Sequence, residues 1–194
     1  TLKTNVAWDT LNVQDPYQSW SMFFTNANGG ELWGTRDALR LSNANPKWVR
    51  VIDGIGTHPV SPNVDVEFSE DLNNIFVNGI NGIKRISGLG DIYSSENDFS
   101  IRASLDQTPE QVITTISNAS FEGIGLDPRN PDELVAVQGF SGSVFRSSNA
   151  TSASPTLTNV GSQGGIAYYD VIMDRDDNDL LVAGTAFGVR VSEN

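Results

Sequence analysis

Short runs of three to six apolar or alternating residues recur along this chain, separated by clusters of Asn, Asp, Gly, Ser and Pro. Four of these runs, Trp20 to Phe24, Val64 to Phe68, Phe121 to Leu126 and Tyr169 to Met173, have the length and the β-branched and aromatic content of strands. Each leads into a polar turn: Asn26 to Gly30, Glu70 to Asn74, Asp127 to Glu133, and Asp174 to Asp179. Asn, Asp, Gly and Pro collect there because they tolerate positive φ, preset φ, or hydrogen-bond their own backbone. Beyond each turn a second strand, a tight Gly-containing turn and a third strand are expected. A weaker outer strand follows, such as Trp48 to Ile52 or Ile101 to Leu105. Helical periodicity is poor throughout; only Thr108 to Ile116 approaches it, and its Val-Ile-Thr-Thr-Ile run favours a strand.

The second and third strands of each unit form a phrase that occurs four times. Leu32 to Ser42 reads LWGTRDALRLS, Phe76 to Ser87 FVNGINGIKRIS, Val137 to Ser147 VQGFSGSVFRS, and Val182 to Ser192 VAGTAFGVRVS. The anchoring glycines Gly34, Gly79, Gly139 and Gly184 are 45, 60 and 45 residues apart. A unit of that length matches a four-stranded propeller blade of roughly 40 to 50 residues, with one blade carrying an insertion. The expectation is an all-β propeller of four-stranded antiparallel blades, about four of them present. The units fall at about 18–60, 62–110, 111–162 and 163–194. Residues 1–17 hold an outer strand of an adjoining or closing blade, within Asn5 to Val13. Either that strand closes a four-bladed ring or the chain is a segment of a larger propeller, and the segment is the favoured expectation. A segment would expose sheet faces and edges for other chain to cover.

Residues Leu126 to Asn149, LDPRNPDELVAVQGFSGSVFRSSN, resemble the blade signature of Asp-box (BNR-type) propellers, the group of sortilin-like, sialidase-like and xyloglucanase-like proteins. In that group the third strand runs into a Ser-x-Asp-x-Gly-x-x-Trp hairpin. Here the hairpin is degraded: Ser42 to Trp48 is one residue short, Ser147-Ser148-Asn149 lacks the Trp, and Val191 to Asn194 starts a box without completing it. The resemblance implies a fold and leaves the activity open.

Composition narrows the partners. With 12 Lys and Arg against 24 Asp and Glu, the formal charge is -12 and the pI about 4.3. Nucleic acid is excluded as a partner, because neutralising phosphates needs clustered cations. No apolar run approaches the roughly 20 residues of a membrane span. Without cysteine, disulfides and thiolate metal sites are ruled out.

Candidate chemistry lies on the inner strands, which line a propeller's central channel. Ser21, Asp65, Glu122 and Asp170 occupy similar places in the four units, a ring at the channel mouth that would suit a cation or a basic peptide. The competing expectation is that they turn outward or cap neighbouring loops. Asp174, Asp176 and Asn178 have the 1, 3, 5 oxygen spacing of a calcium loop, but position 6 lacks Gly and position 12 is Thr185, so a plain acidic turn competes. Trp33, Trp20 and Tyr17 could stack on sugars or pack between blades. His58, the single His, has no second imidazole or thiol with which to build a zinc site. A sialidase-type site would need three arginines around a carboxylate and a nucleophilic Tyr. Of the candidates Arg36, Arg40, Arg85, Arg146 and Arg190, four (Arg40, Arg85, Arg146 and Arg190) recur just before the Ser that closes the repeated phrase, and Tyr168 and Tyr169 lack a supporting Glu.

The expected function is a non-catalytic binding or scaffolding propeller module of an extracellular or cell-surface protein, which recognises protein or glycan through its loops. The acidic, cysteine-free, Asn-, Ser-, Gly- and Thr-rich composition is similar to that of large secreted bacterial surface proteins such as adhesins. The alternative is a propeller glycoside hydrolase, xyloglucanase- or sialidase-like, with carboxylates in the central cleft. No cofactor is expected beyond possible calcium. Further propeller blades or a partner chain are the expected structural neighbours.

Overall fold

The computed structural model describes residues 5–7, 21–25, 32–35, 49–52, 65–88 except 72, 112–174 except 128, 176–177 and 179–193. In those residues the chain forms fifteen strands and no helix. The first sheet holds β1 (Asn5–Ala7), β2 (Ser21–Thr25), β3 (Leu32–Thr35) and β4 (Val49–Ile52). The second holds β5 (Asp65–Phe68), β6 (Asn74–Gly79), β7 (Gly82–Ser87) and β8 (Val112–Ser117). The third holds β9 (Gly123–Leu126), β10 (Glu133–Gln138), β11 (Ser143–Ser148) and β12 (Thr158–Ser162). The fourth has β13 (Tyr168–Met173), β14 (Leu180–Thr185) and β15 (Gly188–Glu193). Every sheet is an antiparallel meander in sequence order, so each strand pairs with its chain neighbours.

The expected strand, turn, strand, Gly turn, strand grammar is realised in the second to fourth units. Two placements differ from expectation. Asn5–Ala7 is not placed as the outer strand of an adjoining or closing blade; it pairs with Ser21 to Phe23 and becomes the first strand of the first sheet, beside β5. Val112–Ser117, expected to open the third unit at 111, instead pairs with Ile83 to Ser87 as the outer strand of the second sheet. The insertion that lengthens the second repeat therefore lies between β7 and β8. Ile101 to Leu105, the outer strand expected there, falls outside the described residues.

The sheets stack face to face through two kinds of apolar contact. Phe76 and Ile83 of the second sheet pack with Ile124, Leu126, Leu134 and Ala136 of the third, and Phe121 meets Phe145 edge-on at 5.3 Å. On its opposite face the third sheet places Val135 and Val137 against Val171, Met173 and Ala183 of the fourth. Period-2 alternation supplies both contacts, because successive residues of β10 point to opposite neighbours. Strand β9 can lie directly beside β13 because it carries Gly123 and Gly125. A Cβ on Gly123 would come 2.7 Å from Asp170 Cα, and one on Gly125 2.9 Å from the carbonyl oxygen of Val171.

Two arginines of the repeated phrase join consecutive sheets. Arg85 is buried, and its Nη1 donates to the carbonyl oxygens of Ala150 (2.9 Å) and Ser152 (3.2 Å) in the connection between β11 and β12, its Nη2 to Thr114 Oγ1. Burial lowers its pKa, a penalty that the nearby Asp132 carboxylate partly offsets. Arg146 donates to Glu133 at 3.1 Å and, across to the fourth sheet, to Asp179 at 3.0 Å. Burial works against its charge, but hydrogen bonds to Asp179 and Glu133 raise its pKa on balance. Hydrogen bonds from a charged donor are worth about 1.5 to 3 kcal/mol each. Arg85→Ala is therefore expected to cost roughly 2 to 4 kcal/mol in a urea melt, because it also strands two buried carbonyls. A loss below about 0.5 kcal/mol would show that solvent satisfies those carbonyls instead.

The hairpin after β11 is held by Asn149, whose Oδ1 accepts the backbone N–H of Thr156 at 2.9 Å and the Thr156 hydroxyl at 3.0 Å. Asp132 fastens the same turn by accepting the N–H of Thr151. Asn149 follows the third strand of the repeat, and Asp132 precedes the second.

Candidate functional site

The β6–β7, β10–β11 and β14–β15 hairpins all lie at the end of the sheets where the inner strands begin. Asp65 stands opposite Asn78, Gly123 opposite Val137, and Asp170 opposite Gly184, each one or two residues before a hairpin tip. Residues of the channel mouth and of the hairpin tips thus share one surface.

Asp65 is buried in this rim. Its Oδ1 accepts the N–H of Val66 at 3.0 Å, and its Oδ2 accepts the N–H of Ile124 at 3.1 Å, which ties β5 to β9. Asp170 repeats the local half of this arrangement, with Oδ1 accepting the N–H of Val171 at 2.9 Å, and it is exposed. Glu122 does not share their register. Gly123 holds the matching place in the third sheet, and Glu122, one residue earlier, is buried with its side chain beside Gly139. The reason is steric: the β13 backbone crosses at Gly123 too closely for any side chain, and a one-residue step turns Glu122 to another face. Ser21 does not belong to the ring either. It lies on β2 opposite Ala7, and β1 takes the inner position.

The calcium-loop candidates are used as a turn. Asp174 Oδ1 accepts the N–H groups of Asp176 (2.8 Å) and Asp177 (3.0 Å), and Asp177 Oδ1 accepts that of Asp179. Asn178 lies outside the described residues. Among the described residues no three His, Cys, Asp or Glu side chains gather to hold a metal.

Sequence reasoning passed over Asn78. It is fully buried, its Nδ2 donates to the carbonyl oxygen of Phe121 at 2.8 Å, and its Oδ1 has no partner. The available signal was an amide inside the apolar run Ile75 to Gly79. Also unanticipated are the exposed aromatics of this rim: Phe140 (83%), Phe187 (77%) and Tyr169 (49%). Phe140 and Phe187 occupy the β10–β11 and β14–β15 tips, where an apolar ring gains nothing from the core. Tyr168, by contrast, packs among Val135, Val137 and Met173. Tyr17, Trp20 and His58, the side chain of Trp33, Arg36, Arg40, and nearly all of the long polar segments 54–63 and 88–100 lie outside the described residues.

No protein-family model matches the chain, and no curated protein sequence does. Solved structures do. The β-propeller domain of Myceliophteria thermophila Cps50 (Swd1) superposes with a TM-score of 0.58 at 10% identity, over 100% of this chain and 54% of that one. The fold is a β-propeller. The GH74 enzyme of Niastella koreensis superposes with a TM-score of 0.52 at 13% identity, over 97% of this chain and 28% of that one. The four sheets are therefore propeller blades, and the chain spans about half the length of the first of these structures and about a quarter of the second. At these identities the likeness extends to the fold alone. One of the two neighbours is a propeller domain and the other an enzyme, so the propeller by itself chooses neither class.

Proposed function

We propose that this chain is a binding or scaffolding propeller module of a secreted or cell-surface protein, non-catalytic, with its ligand site on the hairpin rim. The observation that carries this reading is the exposure of Phe140, Tyr169 and Phe187 beside Asp170 at one end of the blades. Aromatic rings held on short hairpins offer large, rigid contact area for a sugar ring or an apolar protein side chain, at little cost in conformational entropy. The chain's net charge of -12 favours a basic or neutral partner. The Asp-box assignment fits the Asn149-braced turn after β11, where Asn stands in for the Asp of the motif. An extracellular location accords with the composition.

The rival is a glycoside hydrolase of the xyloglucanase or sialidase kind, with Asp65 and Asp170 as its carboxylates. Against it, both oxygens of Asp65 are occupied by backbone N–H groups, an arrangement suited to holding blades together. Binding to glycan and peptide arrays, repeated with Phe140→Ala and Phe187→Ala, separates the two. Loss of binding in both variants with an unchanged melting temperature is expected, since neither ring is buried. Polysaccharide or sialoside hydrolysis abolished by Asp170→Asn would replace the binding reading with the enzymatic one.

A further inference from the structure

The peptide unit between Ala167 and Tyr168 ties the tips of two blades together. Its N–H, from Tyr168, donates to the carbonyl oxygen of Gly139 at 3.3 Å, and its carbonyl oxygen, from Ala167, accepts the N–H of Ala186 at 2.9 Å. Gly139 precedes Phe140 on the β10–β11 tip and Ala186 precedes Phe187 on the β14–β15 tip, so one peptide plane sets the spacing of the two exposed rings. The residues just before it, Gln163 to Ile166, form a turn closed by a hydrogen bond from the Ile166 N–H to the Gln163 carbonyl oxygen at 3.3 Å. Gly165, third in that turn, has φ +81, as a type II turn requires. The turn lies hard against the β10–β11 tip: the Gln163 N–H donates to the Gly142 carbonyl oxygen at 2.8 Å, and a Cβ on Gly142 would come 2.1 Å from the Gln163 carbonyl oxygen. The floor between the two tips is bare backbone. Gly164 and Gly165 are exposed, and a Cβ on either would meet nothing within 4 Å. Ile166 and Tyr168 turn inward against Val135, Val137 and Val171, so their side chains belong to the core below the floor. Arg190, on the outermost described strand of the fourth blade, closes one side. Alternation leaves its neighbours Val189 and Val191 exposed on the other face of β15, and Arg190 Nη1 donates to Gln163 Oε1 at 2.8 Å. Among the described arginines, Arg85 and Arg146 are spent between blades and Arg129 pairs with Asp127 and Asp176, whereas Arg190 is exposed beside a neutral amide.

We infer that this groove across the joint of the third and fourth blades is a saccharide subsite, which takes an uncharged pyranose unit of a glycan chain. The inference deepens the binding reading and rests on it. A pyranose presents an apolar C–H face, which suits the phenyl rings of Phe140 and Phe187, and a rim of hydroxyls that both donate and accept. Arg190 supplies planar, pre-organised donors for those hydroxyls, and the Gln163 amide already orients it. A protein partner is the poorer occupant, because interface hot spots form where side chains fill desolvated pockets, and the floor here is open glycine backbone. Sugars that carry carboxylates are disfavoured by the chain's net charge of -12. The subsite uses none of the carboxylates Asp65, Glu122 and Asp170, so it binds without needing them for catalysis.

Calorimetric titration of the full native polypeptide with cellohexaose, mannohexaose and xylohexaose tests the proposal, alongside polygalacturonate and a peptide array. The expected result is binding of at least one neutral hexaose, weakened about tenfold or more by Arg190→Ala, the loss that follows from removing a charged hydrogen bond. Gly164→Phe should abolish binding by filling the groove. Both variants should keep the wild-type melting temperature, because Arg190 is exposed and Gly164 is exposed, open above its Cα and not at positive φ. Saccharide binding that survives Gly164→Phe would overturn the subsite and leave the binding module standing elsewhere on the rim. Peptide binding that Gly164→Phe removes, without affinity for any hexaose, would overturn the saccharide class in favour of a protein partner. Tighter binding of polygalacturonate than of every neutral hexaose would overturn the uncharged class, and no binding of any probe would overturn the inference whole. Hydrolysis of a bound hexaose would overturn the non-catalytic reading beneath it.

Discussion

Gly82→Ala is expected to disrupt the second blade, with a loss of roughly 3 kcal/mol or more and an unfolded or aggregated product at physiological temperature. Gly82 closes the two-residue β6–β7 hairpin with φ +96, a region that L side chains rarely adopt. An added Cβ would also lie 1.9 Å from the carbonyl oxygen of Ser117 on the outer strand β8. Backbone cannot retreat as a flexible side chain can, so relief requires β8 to leave the sheet. Gly188→Ala is the control. It occupies the same hairpin position in the fourth blade with φ +109, but its Cβ would meet nothing within 4 Å. Its loss should be limited to the backbone penalty of about 1 to 2 kcal/mol. Paired thermal melts check the difference, and equal losses would show that β8 does not press on this hairpin.

Phe76→Ala carries the second large effect, about 3 to 5 kcal/mol. Phe76 is fully buried and packs with Ile116, Ile124, Leu134 and Ala136 where the second and third blades meet. Truncation removes the transfer energy of the ring and leaves a cavity between two stiff sheets that cannot collapse to fill it. A urea melt should show the lower midpoint. Because only the contact between two blades is broken, the transition should also broaden as the blades lose their coupling. A loss under about 1 kcal/mol would mean that the blades do not pack through this residue.

Much of this architecture was legible along the chain. The hairpin tips announced themselves through Gly82, Gly142 and Gly188, all at positive φ. The buried strands announced themselves through the continuous apolar runs Ile75 to Val77 and Leu134 to Val137. The candidate site was legible only in part. Asp65 and Asp170 do share a register position, on the second and fourth blades, but Glu122 and Ser21 do not join them. Glu122 was displaced by a close approach between β9 and β13, two strands some forty residues apart, which no local pattern records. Ser21 was displaced because three residues, Asn5–Ala7, added a strand inside it, and so short a segment carries no mark of which sheet edge it will join. The exposed rings of Phe140 and Phe187 read in sequence as ordinary hydrophobes, and their solvent exposure emerges only once the hairpins project past the core.

By itself, then, the sequence determined the local grammar: strands where apolar residues run or alternate, turns where Gly, Asn and Asp permit them, and a repeat long enough for one blade. Those are interactions between residues close in the chain, and composition records them directly. The tertiary structure decided which edge β1 and β8 join, which face each side chain takes, and which blade face is left uncovered. Those outcomes depend on register between distant strands, where a shift of one residue exchanges a buried side chain for an exposed one.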